Sequence, residues 1–240
     1  MTKNTKPVRV NNRPDGMALY LKRIFALMFG AVGLTAATSF LTMATPLGWL
    51  LFTPTGALSG FYYLLLFGGL ALSIWAQVRA FHLKPSTGGL LLALYSVMMG
   101  MVMTPLLWLS VAHNGWIILF AFILSAIMFA CMALFGYRTA RNLSFLRIFL
   151  LMGMIGLILV GIASFFWSGL LGGASGTIIC LIGVLVFALF TAYDMQTLKA
   201  AYNYFGDETQ KNQLAVLGAL HMYISFIAMF QYVLSLFNRN

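Results

Sequence analysis

After a polar stretch ending at Arg23, apolar residues run almost unbroken over 24–43, 60–78, 88–111, 115–137, 145–167, 172–193 and 215–237. About 20 apolar residues, rising 1.5 Å each, carry a helix across a hydrocarbon core roughly 30 Å thick. The pattern therefore predicts seven transmembrane helices. Barrel strands would instead alternate over about ten residues, and these runs do not alternate. The first run follows a long polar tail and lacks a small-residue cleavage site, so it reads as a retained helix and not a signal peptide. No connection exceeds about 20 residues and no repeat of 20–50 residues is visible. The expected organisation is a cytoplasmic N-terminal tail, 1–23, followed by one seven-helix transmembrane domain, 24–237.

Composition agrees: 62% of the 240 residues are hydrophobic, and only 14 basic and 4 acidic side chains are present. A soluble domain carries about a quarter charged residues. The net charge of +10 does not point to nucleic acid, because the basic residues cluster at span ends, where topology and anionic lipid account for them. The tail holds Lys3, Lys6, Arg9, Arg13, Lys22 and Arg23. The second connection holds Arg79 and Lys84, the fourth Arg138, Arg141 and Arg147, and the sixth Lys199 and Lys211, whereas the connections between them hold none. By the positive-inside rule the N-terminus is cytoplasmic. Seven spans then place Arg239 outside, unless the segment 215–237, with Gly218, His221, Ser225 and Gln231, is re-entrant. Cys131 and Cys180 have no metal-site or disulfide spacing and read as small core residues. Gly153, Gly156, Gly176 and Gly183 permit close helix approach.

Chemistry concentrates at one carboxylate. Asp15, Asp207 and Glu208 belong to solvated segments, but Asp194 ends the apolar run of the sixth span. A charge in hydrocarbon costs several kcal/mol without water or a partner, so such a residue is a functional candidate. On the last span Gly218, His221, Ser225, Ala228 and Tyr232 recur at helical spacing and form a small or polar stripe that faces protein. Consecutive spans joined on one side are neighbours, which brings His221 and Ser225 toward Asp194. Arg79, at the corresponding end of the second span, is the candidate counter-cation, with a snorkelling anchor as its plainer role. His82 and His113 lie at span ends and read as interfacial. Gly173-Ala-Ser-Gly176 matches the G-x-S-G of intramembrane serine proteases, but Ser175 begins a span whose other end lies beside His221, and no serine–histidine hydrogen bond covers that depth. No enzyme activity and no cofactor are implied.

The stretch Phe187-Ala-Leu-Phe-Thr-Ala-Tyr-Asp-Met-Gln-Thr-Leu-Lys199 resembles the sixth-helix signature of the Bax inhibitor family. Gly100…Thr104-Pro105 and the final Ala219-Leu-His-Met-Tyr-Ile-Ser-Phe-Ile227 are similar to the same family, in layout over roughly 20–237. The resemblance implies an all-α integral membrane fold in which six helices pack around a central C-terminal seventh. It implies a pH-sensitive calcium leak in bacteria and suppression of cell death in eukaryotes. It also implies a pair of aspartates on the last two helices that share a proton; Asp194 matches the first, and Ser225 stands where the second belongs. Asp194 is then the candidate calcium ligand, and Asp194, Ser225, His221 and Arg79 the candidate gating set. The expected function is passive, pH-sensitive cation flux. The alternative is a non-conducting scaffold that binds a partner such as a membrane protease. Short loops without a C-terminal retention signal fit a bacterial inner membrane.

Overall fold

The computed structural model describes residues 14–79, 85–167, 172–204 and 208–239. Among them are seven α-helices: α1 (Pro14–Ala44), α2 (Gly60–Arg79), α3 (Pro85–Asn114), α4 (Trp116–Arg138), α5 (Leu146–Phe166), α6 (Gly173–Tyr204) and α7 (Glu208–Phe237). Short 3-10 turns at Pro46–Leu51 and Leu143–Phe145 and a lone bridge between Phe52 and Leu58 complete the described elements. In hydrocarbon every backbone group must bond within its own segment, which selects helices. The hydroxyls obey the same demand: Thr35, Thr42, Ser96, Ser110 and Thr191 each donate to the carbonyl four residues earlier in their own helix.

Six of the helices are long and apolar enough to cross a membrane, and α2 contributes a shorter apolar stretch, Gly60–Ala76. Of the expected seven spans, six thus meet length and composition together, and α2 is apolar over a shorter stretch. Several helices outrun their apolar runs. Helix α1 begins at Pro14, so residues 14–23, expected in the tail, are helical; at 31 residues it measures about 46 Å and protrudes well beyond a 30 Å core. Residues 1–13, His82 and Lys84 lie outside the described residues. The segment 215–237 lies within α7, a continuous 30-residue helix without an internal break, and just beyond it Asn238 Nδ2 donates to Ser110 Oγ at 2.7 Å, at the far end of α3.

Helix α7 is the central element. Of its most apolar window 72% is buried, against 6% for α5. It packs directly on α1, α3, α4 and α6, whereas α2 packs chiefly on α3 and α5 chiefly on α6. The expected ring of six is therefore an inner set of four with two outriders. Lipid tails are as apolar as leucine, so a helix gains little by burying its outward face. Phe40, Leu90, Ile148 and Met152 accordingly stand exposed. Cys180 is buried as expected, but Cys131 is exposed, because its position on α4 falls on a lipid-facing side where an apolar residue needs no protein cover.

The two ends of the bundle differ. One carries Lys22, Arg23, Arg138, Arg141, Arg147, Lys199 and Lys211; the other carries exposed Trp49, Trp116 and Trp167, the interfacial side chain that prefers headgroup depth. Between α1 and α4 runs an apolar crevice. A cavity of about 530 Å³ lies toward the tryptophan end and one of about 350 Å³ toward the basic end, with Phe122 and Phe226 lining both.

Candidate functional site

The inward face of α6 repeats Gly176, Cys180, Gly183, Ala188, Thr191, Asp194, Leu198 and Tyr202, all buried, at intervals that keep them on one stripe. Asp194 thus points inward for the same geometric reason as its apolar neighbours. It sits ten residues before the end of α6 at Tyr204, about 15 Å along the axis. The apolar run stops at Asp194, but the helix does not, so the carboxylate lies deeper in the bundle than a span ending at 193 implies.

The antiparallel partner stripe on α7 meets it in register. Near the basic end Gly218 lies under Leu198, where a Cβ would come 2.5 Å from Leu198 Cδ2. At mid-depth Ser225 and His221 flank Asp194. Farther along, Tyr232 covers Gly183, where a Cβ would stand 2.7 Å from its ring, and stacks on Phe187 at 6.0 Å between centroids. The small residues let the two helices approach, and that approach brings the polar groups together.

Asp194 is 9% exposed. Ser225 Oγ donates to Asp194 Oδ2 at 3.4 Å, and His221 Nδ1 stands 3.9 Å from Oδ1, within ion-pair range when the ring is protonated. His221 Nε2 is buried and has no hydrogen-bond partner. These three side chains border a cavity of about 120 Å³ whose remaining wall is apolar, formed by Leu151, Met154, Phe187, Phe190 and Ile224. That space has room for a few waters at about 30 Å³ each. The arrangement can hold or release a proton at one carboxylate, with one hydroxyl and one imidazole responding to it.

The structure therefore joins three of the four expected residues. Arg79 is the last residue of α2, and its side chain lies outside those described. Ser175 is in the first turn of α6, 19 residues and roughly 28 Å from Asp194, with its hydroxyl donating to Gly172 O. His113 is exposed at the end of α3, with Nδ1 2.9 Å from Leu109 O. Among the described residues no group of three or more His, Cys, Asp or Glu converges as metal ligands do.

Two supports were not evident from spacing alone. Gln196, two residues past Asp194, accepts from Leu143 N and donates to Arg141 O, both at 2.8 Å, pinning the α4–α5 connection to α6. On the other side of α7, Tyr223 Oη is 2.6 Å from Thr35 Oγ1, which also lies 3.2 Å from Ser96 O; this ties α7 to α1 and α3. The signal was present on α1, where Thr35, Ser39 and Thr42 share one face. It needed the α3 partner to become readable.

The sequence is similar to known proteins over most of its length. The family profile described as inhibitor of apoptosis-promoting Bax1 matches residues 17–240. The inner membrane protein YbhL of Escherichia coli strain K12 is 31% identical over 225 residues, covering 92% of each chain. An uncharacterized protein of Caulobacter vibrioides is 35% identical over 180 residues, 75% of this chain and 70% of its own. Protein RP147 of Rickettsia prowazekii is 27% identical over 222 residues, covering 92% and 89%.

Proposed function

The chain belongs to the Bax inhibitor family of membrane proteins, and from that premise we propose that it mediates passive cation flux, calcium included, gated by protonation at Asp194. The single supporting observation is the burial of Asp194 beside Ser225 and His221, at a small cavity within the helical bundle. An ionised carboxylate there attracts a cation and a protonated one does not, so its proton occupancy couples pH to passage. His221 is the titratable group facing it from α7, and the cavity residues from α5 and α6 are apolar. Arg79 is proposed as the counter-cation at the end of α2. The proposed setting is a bacterial inner membrane, with all seven helices crossing and the basic end, including the N-terminus, in the cytoplasm. No covalent step and no cofactor enter this function.

Flux from liposomes containing only the purified protein tests it. Wild-type flux is expected to vary between roughly pH 6 and 8, and Asp194→Asn to flatten that profile. A pH profile that Asp194→Asn leaves unchanged overturns the gating role.

A second reading is favoured by one observation: a hydroxyl, Ser225, faces the carboxylate, and calcium prefers about 6–8 oxygen ligands. On that reading the protein is a non-conducting scaffold for a membrane partner such as a protease. Reconstitution without partners separates the two, because a scaffold alone passes no ions.

A further inference from the structure

At the basic end, away from Asp194, the first turns of α1, the last turns of α6 and the start of α7 enclose a pocket of about 340 Å³. Its polar lining consists of Tyr20 and Arg23 from α1, Tyr202 from α6, and Lys211 and Asn212 from α7. Neither cation points simply outward. Arg23 Nη1 donates to Asn212 Oδ1, and Lys211 Nζ sits 4.6 Å from the centroid of the Tyr202 ring. Tyr202 in turn packs against Tyr20 at 5.2 Å. Tyr20 is 6% exposed, yet its hydroxyl is buried with no hydrogen-bond partner. An unsatisfied buried polar group costs about 1–3 kcal/mol, so its retention calls for an explanation.

Two cations, two phenols and an amide line the space and offer donors to it. Depth adds a second constraint. Counting back from Ala44, a 30 Å core uses about 20 residues of α1 and ends near Ile24, so Tyr20 and Arg23 stand at the level of phospholipid phosphates. A snorkelling anchor would extend its guanidinium outward to water and headgroups, whereas Arg23 turns across to α7.

We propose that this pocket is a phosphate-binding site, with Arg23 and Lys211 as the charged donors and the Tyr20 hydroxyl completing the cradle. The ligand is a phosphate ester, supplied by a phospholipid headgroup or by a soluble phosphate, and it clasps α1, α6 and α7 at one point. Because α6 and α7 carry Asp194 and its partners, an occupied pocket braces the helix pair that forms the gate.

Thermal unfolding of the full chain in detergent tests this by titration. Short-chain phosphatidylglycerol is compared with phosphatidylcholine of equal chain length, and sodium phosphate with sodium chloride at equal ionic strength. A saturable rise in the unfolding temperature with phospholipid, larger for phosphatidylglycerol because no choline cation offsets its phosphate, identifies a lipid headgroup; a rise with inorganic phosphate identifies a soluble source. Arg23→Gln and Lys211→Gln are each expected to weaken the response roughly tenfold, the loss of one charge-assisted hydrogen bond. Arg147→Gln, an exposed cation at the same end but outside the pocket, leaves it unchanged. Tyr20→Phe carries a sharper signature: ligand-free stability holds or rises as the orphan hydroxyl is removed, while phosphate affinity falls about fivefold. No response to either phosphate, or a response that Tyr20→Phe and both charge variants leave intact, overturns the proposal.

Discussion

Opposite Asp194 the chain places a hydroxyl where the family resemblance implies a second carboxylate, and the difference changes how a proton is held. Two carboxylates at close range share one proton because both cannot ionise together, and they titrate as a pair. Ser225 only donates to Asp194, at 3.4 Å, and carries no charge of its own. Ser225→Asp is therefore expected to convert a one-group pH response of flux into a broader, two-step one, and adding Asp194→Asn to abolish the second step. Ser225→Ala removes one long hydrogen bond and is expected to cost about 1 kcal/mol, read by unfolding in detergent. At this scale Asp194 was legible because it is the one carboxylate attached to an apolar run, and Ser225 and His221 because their spacing put them on a single face. The orphan hydroxyl of Tyr20 was not legible: a missing partner is a property of the surroundings, and Tyr20 in sequence is one of 10 tyrosines.

Helix contacts sort glycines that look alike in sequence. Gly153 lies on Val186, where a Cβ would stand 3.0 Å from Cγ2, and Gly183 lies under Tyr232, but Gly156 has nothing within 4 Å and is exposed. The tightest approach falls at Gly136, which spacing did not single out: a Cβ there collides with the Ala192 carbonyl, a backbone group that cannot swing aside. Gly136→Ala must push α4 from α6 and is expected to cost about 1–3 kcal/mol, while Gly156→Ala is neutral or mildly stabilising in helix propensity. Melting temperatures of the two variants, compared in one detergent, check this contrast. The apolar runs located the spans well in their middles and poorly at their ends. Hydropathy stops where polar residues begin, whereas α1 and α6 continue as helices for further turns into the interfacial layer.

For the whole molecule, the contrast between a basic end and a tryptophan end converts into a topology test. In a background with Cys131 and Cys180 replaced by alanine, Thr55→Cys lies in the α1–α2 connection and Ser144→Cys in the α4–α5 connection. A membrane-impermeant maleimide added to intact cells is expected to label the Thr55 variant and to reach the Ser144 variant only after lysis; the reverse result inverts the proposed orientation. The arrangement of four helices around α7, with α2 and α5 outside, was not readable from periodicity. In lipid both faces of a helix are apolar, so the inward side carries a weak signature except where serines, threonines and small residues mark it.

Ser225 and Phe226 are neighbours in the chain yet serve opposite chambers. One donates to Asp194; the other lines the crevice between α1 and α4 and meets Phe122 and Phe129 edge-on at 5.6 and 5.5 Å. Helix α7 is in this sense a rigid partition with a handle on each side. A rotation of α7 that withdrew the hydroxyl from the carboxylate would also shift the ring against Phe122 and Phe129, because both side chains ride on one helix turn.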